Sequence, residues 1–316
     1  MPGQIWSTGT LGGNWAAPYL TERLRHVAQP MFKLRQFIDV KENVGKRRGD
    51  TWLFDKSGNV AAQGGTLVET STIPETNYVT QQGTGIITEY GLSVPYTQKL
   101  DALGQFDIDS VTEQKLRDDQ VKVLESAAGT QFTLTDFIAV CTASGGVAIT
   151  TNGTASTTAT GDLTAVNVRA IVDFMLKKNI PMYDGQNYIC VASVTAMSGM
   201  HADTGTGGWQ DISKYTAEYA KNIFNGEVGN FYMTRFIRET GFLNNAIGAS
   251  SLHGQAVFFG ADSVYEGVSI PEEIRVNVPK DFGRDLAMAW YALLGFKIVW
   301  SFGTDSEQHI VFVTSA

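Results

Sequence analysis

A polar stretch of about thirty residues between two strand-like segments constrains the fold of this chain more than any other feature. Thr51–Phe54 is rich in strand-forming residues, and turn-forming residues follow at 55–59. The segment Thr84–Thr97 then alternates in polarity as a second strand would. Structureless loops of this length are uncommon inside a compact domain and are usually functional or disordered. The pattern therefore favours a long functional loop over a tight hairpin.

The segment 107–128 has the strongest helical pattern in the sequence. Ser110 and Glu113 form a predicted capping box, to which Asp109 adds negative charge at the helix start. One face carries a row of mostly apolar residues, namely Leu116, Gln120, Val123, Leu124, Ala127 and Ala128. A break is predicted at Gly129-Thr130, and residues 135–143 can continue the helix beyond it.

Other segments predict a mixture of shorter helices and strands. Thr164 is placed to cap a helix over Ala165–Asn179, and Ser193 to cap a short helix that ends at Met200. The residues 144–161 are rich in Ser, Thr, Gly and Ala, which predicts a surface loop or a small hairpin. The predicted strands are Tyr188–Ala192, Ala256–Gly260, Arg275–Val278, Phe296–Phe302 and Ile310–Thr314. The segments therefore mix helices with strands.

The segment 213–237 predicts a helix, a turn and a strand in that order. Ser213–Phe224 has apolar residues at helical spacing, and Asn225-Gly226 suits the helix end. Glu227–Asn230 is then predicted to be a turn, and Phe231–Ile237 has the aromatic and β-branched content of a short strand.

Charge is distributed unevenly along the chain. The net charge is -8, but the first 48 residues carry eight basic and three acidic side chains, a balance of +5 that leaves -13 for the remainder. Within this region, residues 18–37 can form a helix that is interrupted at Pro30. A basic arm on an acidic body suits contact with an acidic neighbour or with DNA, and a solvated amphipathic helix is the third alternative.

The sequence contains no arrangement that predicts catalysis, metal binding or membrane insertion. Asp203-Thr204-Gly205 matches an aspartic-protease loop, but that chemistry needs two carboxylates and no second copy is present. No His or Cys pair has metal-ligand spacing, and no apolar run approaches the length of about 18 residues that a membrane span needs. Cys141 and Cys190 lie in apolar runs, which predicts buried thiols in a reducing compartment. The start of the chain lacks the features of a signal peptide.

The composition leaves two classes of protein open. Charged residues make up only 18% of the chain and glycines number 33, which suggests a surface largely covered by neighbouring molecules. A stable, β-rich soluble enzyme that acts through the Asp203 loop has a similar composition and is the alternative from another class.

The order of residues in 173–240 resembles one segment of the major capsid proteins of tailed bacteriophages, which have the Hong Kong 97-type fold. The similarity is carried by Asn225-Gly226-Glu227-Val228-Gly229-Asn230-Phe231-Tyr232, then by Arg235-Phe236-Ile237 and Glu239-Thr240. The stretches KRRGDTWLF and GIITEYGLSVPYT resemble the two arms of that family's extended loop. The stretch GRDLAMAWYALLGFKIVW resembles the segment that returns to the peripheral domain.

This resemblance implies an α+β fold class and a Hong Kong 97-like architecture of five parts. They are an N-terminal arm (1–45), an extended β-hairpin loop (46–100), a peripheral domain with a spine helix and a long sheet (101–162), an axial domain (163–272) and returning peripheral-domain strands (273–316). Residues expected at subunit interfaces are Arg23, Arg25, Lys33, Arg35, Arg47, Arg48, Asp55 and Lys56. Some members of this fold cross-link a loop lysine to a neighbouring subunit, but no partner for Lys56 can be matched by motif.

The implied function is structural rather than enzymatic. Copies of the chain are expected to form hexamers and pentamers of an icosahedral shell that encloses double-stranded DNA at its inner face. A portal protein and scaffolding or decoration proteins are the other implied partners, and no cofactor or membrane is implied. The expected location is the virion, after assembly in the host cytoplasm. A shell protein of a bacterial nanocompartment with the same fold, enclosing protein cargo, is the alternative.

Overall fold

The fold combines helices with two large β-sheets and is α+β, as predicted. It is seen in a computed structural model that describes residues 33–42, 49–57, 64–70, 72–75, 77, 80–143, 145–202, 227–244, 254–279, 281–300 and 308–316. Within these ranges the helices are α1 (Gln98–Leu103), α2 (Ile108–Thr133), α3 (Ala165–Lys177) and α4 (Val194–Ala202). The strands are β1 (Asp39–Glu42), β2 (Thr51–Ser57), β3 (Thr80–Ile86), β4 (Thr88–Thr97), β5 (Ile138–Cys141), β6 (Val147–Thr150), β7 (Tyr188–Ser193), β8 (Glu227–Phe231), β9 (Thr234–Glu239), β10 (Gly254–Phe259), β11 (Val264–Val276), β12 (Asp285–Ile298) and β13 (Ile310–Ser315).

The first sheet has four strands in the order β1-β11-β12-β4, and the long helix α2 packs against it. Strands β11 and β12 form a long antiparallel hairpin, in which Val264 pairs with Ile298 and Val276 pairs with Met288. The indole of Trp290 on β12 is buried, and its Nε1 donates to Asp119 Oδ2 of α2 at 2.9 Å. This bond and the apolar face of α2 fix the helix on the sheet.

The helix α2 differs from its prediction at both ends. Asp107 is the N-cap, and its side chain accepts a hydrogen bond from the Asp109 amide at 3.2 Å, so the predicted Ser110 capping box is wrong. The predicted break at Gly129 is also wrong, because the helix continues to Thr133. A Cβ at Gly129 would lie 2.5 Å from the Phe242 ring, so glycine here permits close packing instead of ending the helix. The strand β5 follows, where a helical continuation had been predicted.

The second sheet has seven strands in the order β6-β5-β13-β10-β7-β9-β8 and is covered on both faces. Alternate residues of β7 face opposite sides: Cys190 joins the cluster that contains α3, whereas Ile189 joins the cluster that contains α2. The buried strands predicted near 188 and 310 are confirmed, and 144–161 includes a hairpin strand, β6. Cys141 and Cys190 are free and buried, as predicted.

The segment that follows residue 226 is a β-hairpin and not a turn followed by a strand. Glu227–Asn230 belongs to β8, which pairs with β9, so the predicted turn is wrong. The chain reverses instead at Tyr232 and Met233, which both have left-handed backbone angles, φ 44° and 57°. The charged Glu227 is tolerated in this strand because its Oε1 accepts from Arg235 Nη1 of β9 at 3.0 Å. The predicted helix over 213–224 and its Asn225-Gly226 end lie outside the described residues.

The two predicted arms of the extended loop are divided between two sheets. Strands β2 and β3 pair with each other from Thr51–Ile86 to Ser57–Thr80, which confirms a hairpin. The predicted second arm, 84–97, is broken at Ile87, whose amide donates to Asp50 O at 2.7 Å. Beyond this point β4 pairs with β12 in the four-stranded sheet.

The sheets do not follow the predicted boundaries at 163 and 273. Strands β5, β6 and β13 join the seven-stranded sheet, and β11 runs across residue 273. The strands predicted at 275–278 and 296–302 include the ends of the longer strands β11 and β12. Of the helix predicted over 18–37, the described part contains only a short 3-10 helix, Arg35–Phe37, and β1 follows it.

Candidate assembly interface

Four of the eight predicted interface residues lie within the described part of the chain, and two of them, Lys33 and Lys56, are buried. Lys33 and Arg35 precede β1, whereas Asp55 and Lys56 are on β2. Arg23, Arg25, Arg47 and Arg48 lie outside the described residues. The role of all eight in contacts between subunits stays a prediction.

Arg35 is held within its own chain by two glutamates of β11. Its Nη2 lies 2.6 Å from Glu266 Oε1, its Nε donates to Glu266 Oε2 at 3.2 Å, and its Nη1 pairs with Glu272. The Glu266 side chain is only 1% exposed, against 30% for the Arg35 side chain. An arginine expected to face a neighbour therefore neutralises a buried carboxylate of its own subunit.

Glu125 of α2 holds the backbone of the same segment. Its carboxylate accepts a hydrogen bond from the Leu34 amide. The Arg35 amide also donates to it, at 3.2 Å to Oε2 and 3.3 Å to Oε1. Burial raises the pKa of Glu125, and the amides of Leu34 and Arg35 partly oppose this shift. Leu34 and Phe37 are buried beside it in the core. Residues 34–37 are thus fixed to the body by a charged anchor and an apolar one.

Sequence reasoning missed Glu125 as a functional residue, although a weak signal was present. A glutamate directly between Leu124 and the small residues that follow lies at the edge of the apolar face of the helix. Such a carboxylate must find donors if it is buried. Its donors are about ninety residues earlier in the chain, so the pattern of the helix alone does not identify them.

Glu239 repeats this arrangement at the end of β9. It is fully buried and accepts from the amides of Phe242 at 2.7 Å and Leu243 at 3.1 Å. Burial raises the pKa of Glu239 to about 7; the two amides oppose the shift and the charge of Glu125 adds to it. Two buried carboxyl groups therefore influence each other at the junction of the two sheets.

We expect Glu239 to make the subunit less stable as the pH rises. Its folded pKa of about 7 lies above the unfolded value of about 4.3, so the folded state binds the proton more tightly between these values. Relative to a Glu239→Gln variant, the parent should lose about 2 kcal/mol of unfolding free energy between about pH 5 and about pH 8. Denaturant unfolding of unassembled subunits at several pH values measures this difference.

The matched control is Glu113→Gln, which alters a glutamate on the exposed surface of α2. The loss of unfolding free energy between about pH 5 and about pH 8 should persist in this control, because it keeps Glu239. A Glu239→Gln difference that stays constant with pH would mean that Glu239 is ionised throughout and that its burial does not raise its pKa.

The β2–β3 hairpin packs on its own subunit at both ends. Trp52 is buried against Gly85 and Gly267, where a Cβ would lie 2.2 Å and 2.9 Å from the indole. Lys56 is only 6% exposed, and its Nζ donates to Val299 O at 2.5 Å. Asp55 is exposed and accepts from Gln82 Nε2 at 3.0 Å. Lys56 is thus bonded within its own subunit.

A cleft of about 450 Å³ lies beside the loop-side end of β2. It is lined by three carboxylates, by Lys56 and by three aromatic residues, namely Asp39, Asp55, Asp262, Phe54, Tyr265 and Trp300. Burial and then the nearby charge of Asp262 raise the pKa of Asp39. The excess of carboxylates makes the cleft suited to a basic side chain and unsuited to phosphate.

The loop of the hairpin carries apolar side chains in solvent. Leu67, Val68 and Ile73 are 56%, 63% and 70% exposed, respectively. Three large aliphatic side chains within seven residues differ from the singly scattered apolar residues of an ordinary surface. They provide an apolar surface that a neighbouring molecule can cover.

Among the described residues, no group of three or more His, Cys, Asp and Glu side chains is arranged to hold a metal ion. None of the described helices is long and apolar enough to cross a membrane. The loop Asp203-Thr204-Gly205 lies outside the described residues.

Comparison with solved structures finds the same fold in phage capsids along nearly the whole chain. The capsid of Ralstonia phage GP4 matches with a TM-score of 0.65 at 17% identity, covering 98% of this chain and 98% of the other. The capsid asymmetric unit of Cyanophage Pam1 matches with a TM-score of 0.63 at 12% identity, covering 100% and 99%. The capsid of a native GTA particle matches with a TM-score of 0.62 at 15% identity, covering 99% of each chain. No protein-family model and no curated protein matches the sequence.

The chain therefore has the fold of a phage capsid subunit. This is the Hong Kong 97-type fold, which confirms the α+β architecture implied by the resemblance in sequence. At these low identities the likeness establishes the fold, and the assembly of this particular chain is a proposal.

Proposed function

We propose that this chain is the major capsid subunit of a tailed bacteriophage and assembles with copies of itself into an icosahedral shell around double-stranded DNA. The proposal rests on the extent of the match to capsid structures. For Ralstonia phage GP4, Cyanophage Pam1 and the GTA particle, the match covers more than 95% of both chains. A partial match could reflect one common module, whereas these matches cover nearly the whole of each chain.

The distribution of contacts in the subunit supports a role in assembly. The body is held by buried charge pairs and two apolar clusters, whereas the loop residues Leu67, Val68 and Ile73 are exposed. A loop that is anchored at its base and apolar beyond it can bind a second copy without unfolding its own subunit. Many weak contacts of this kind, repeated around a closed shell, give a stable particle.

The predicted basic arm finds a surface of opposite charge on a second copy. Arg35 and Glu125 fix residues 34–37 to the body, and Arg23 and Arg25 precede this anchor in the chain. The cleft lined by Asp39, Asp55 and Asp262 is acidic. We infer that the arm of one copy docks on an acidic surface of another, with Arg47 and Arg48 as further interface residues.

The remaining parts of the proposal follow from a capsid role. The proposed parts are an arm (1–45), an extended loop (46–100), a peripheral domain (101–162 with 273–316) and an axial domain (163–272), and strands β5, β6 and β13 of the peripheral segments extend the sheet of the axial domain. Hexamers and pentamers, a portal protein, and scaffolding or decoration proteins are the partners, and assembly takes place in the host cytoplasm before the chain becomes part of the virion. No catalytic role is assigned. The nanocompartment alternative is not favoured, because the matched structures are capsids.

Sedimentation of the purified chain tests the proposal, with the loop as a second arm of the experiment. The parent should form particles far larger than the 34.3 kDa chain. A variant with Leu67→Ser, Val68→Ser and Ile73→Ser should need about tenfold more protein to assemble, since it loses apolar contact area with its neighbour. Its thermal midpoint should equal that of the parent because these side chains are exposed in the subunit. Equal assembly of variant and parent would remove the loop from the interface.

A further inference from the structure

Phe282, in the turn between β11 and β12, is the most exposed large apolar residue of the described chain. Its relative exposure is 105%, and the nearby Val276 and Val278 are 63% and 78% exposed. These residues lie at the turn end of the long β11–β12 hairpin. The opposite end of the hairpin is the pair Val264–Ile298. A single exposed apolar residue needs no explanation, but three at one hairpin end form a patch.

The backbone of this turn makes the choice of phenylalanine unusual. Asp281, Phe282 and Gly283 all have left-handed angles, with φ of 49°, 56° and 92°. Glycine adopts this conformation readily, whereas an aromatic residue does so at a cost. The turn is closed by the Arg284 amide, which donates to Asp281 O at 3.1 Å, and tied to α1 by the Gln98 amide, which donates to Arg284 O at 3.1 Å. Folding of the subunit therefore does not explain the aromatic ring at this position.

A cleft of about 640 Å³ lies beside the turn, between it and the start of α1. It is lined by Thr97, Gln98, Lys99, Ala102, Asp281, Arg284 and Asp285. Its lining includes two basic and two acidic side chains, so charges of both signs are present. Such a surface is complementary to a copy of itself, whereas DNA would select an excess of basic residues.

We propose that Phe282 of one copy inserts into the cleft between α1 and the β11–β12 turn of the next copy. The inference rests on the proposed function, which supplies the second copy. The projecting ring and the receiving cleft lie side by side at the same hairpin end, and they are different surfaces. Contacts of this heterologous kind repeat from copy to copy and close into a ring of hairpin ends. The mixed charges around the cleft then pair between copies and set the orientation.

Three substitutions of Phe282 in the full chain separate a role in assembly from a role in folding. Phe282→Ser and Phe282→Gly should each raise the protein concentration needed for assembly at least about tenfold, as expected for an aromatic residue at the centre of an interface. Phe282→Leu should change it by less than about threefold, because an apolar side chain is kept. The thermal midpoint of the unassembled subunit should not fall in any variant, and Phe282→Gly should raise it, because glycine relieves the left-handed backbone.

Disulfide formation tests the contact itself. A chain with Phe282→Cys and Ala102→Cys should give a ladder of covalently linked chains on mild oxidation, because the two residues would come within disulfide distance between copies. The control pair Phe282→Cys with Val166→Cys, the latter on an exposed face of α3, should give no ladder. The native Cys141 and Cys190 are buried and do not interfere.

The outcomes separate this contact from the proposed function. If the parent assembles, if Phe282→Ser and Phe282→Gly assemble at the same concentration, and if the chain with Phe282→Cys and Ala102→Cys gives no ladder, the contact is refuted and the capsid role stands. If the parent forms no particles, the capsid role and the contact are refuted together. Loss of assembly in the Ser and Gly variants, with retention in the Leu variant and a ladder, supports the contact.

Discussion

The Glu125→Ala variant is expected to unfold with a free energy about 3 kcal/mol below that of the parent. Its carboxylate is only 4% exposed and accepts from the backbone amides of Leu34 and Arg35. Alanine leaves these buried donors without an acceptor and opens a space beneath the anchored segment. Relief of the buried negative charge offsets part of this loss. Denaturant unfolding of the unassembled subunit measures the difference.

The matched control for this prediction is Glu113→Ala, on the same helix. Glu113 is 42% exposed and pairs on the surface with Arg117 one turn away, so its loss should cost less than about 0.5 kcal/mol. Equal effects of the two substitutions would mean that the anchor adds nothing to stability. Glu125→Ala should also lower the pKa of Glu239, since the charge of Glu125 contributes to its upward shift.

The second large effect is expected for Arg35→Gln, which should destabilise the subunit by about 2 kcal/mol. The substitution leaves Glu266, 1% exposed, without the cation that neutralises it. The Arg35 side chain itself is 30% exposed, so water screens part of its interaction with Glu266. Breaking this pair therefore costs less than breaking a fully buried one. The thermal midpoint of the unassembled subunit and its unfolding free energy both report this loss.

Arg117→Gln is the control, because Arg117 is 67% exposed and its pair with Glu113 lies on the surface. It should change stability by less than about 0.5 kcal/mol. If Arg35→Gln leaves the stability of the subunit unchanged but weakens assembly in a salt-dependent way, then Arg35 acts mainly between copies, and the pair with Glu266 is of little consequence.

The elements that the sequence predicts well are those with a strong local pattern. The apolar rows of α2 and α3 and the continuous apolar runs of β7 and β13 identify them directly. A helix or a buried strand of this kind carries its own periodicity, so its type can be assigned without knowing its neighbours.

The elements that were predicted wrongly depend on partners outside their own segment. Glu227–Asn230 has the Gly and Asn content of a turn, but pairing with β9 and the ion pair to Arg235 make it a strand. Gly129 suggests a helix end, but the Phe242 ring takes the place of a side chain there and the helix continues. In both cases contacts formed in the folded chain outweigh the local preference.

The sequence does not predict the contacts that Arg35 and Lys56 make. Both residues are predicted to lie at subunit interfaces, but their intrachain partners are far away along the chain. Arg35 and Glu266 are separated by 231 residues, and Lys56 and Val299 by 243. No periodicity connects residues at such distances, so only the folded structure reveals that these two cations are bonded within the subunit.

Electron microscopy of the purified chain decides whether it builds a capsid. We expect closed shells built of hexamers and pentamers, with double-stranded DNA inside particles taken from infected cells. Shells that contain protein cargo and no DNA would contradict the phage assignment. A chain that stays at 34.3 kDa at high concentration, with or without scaffolding protein, would contradict a capsid role altogether.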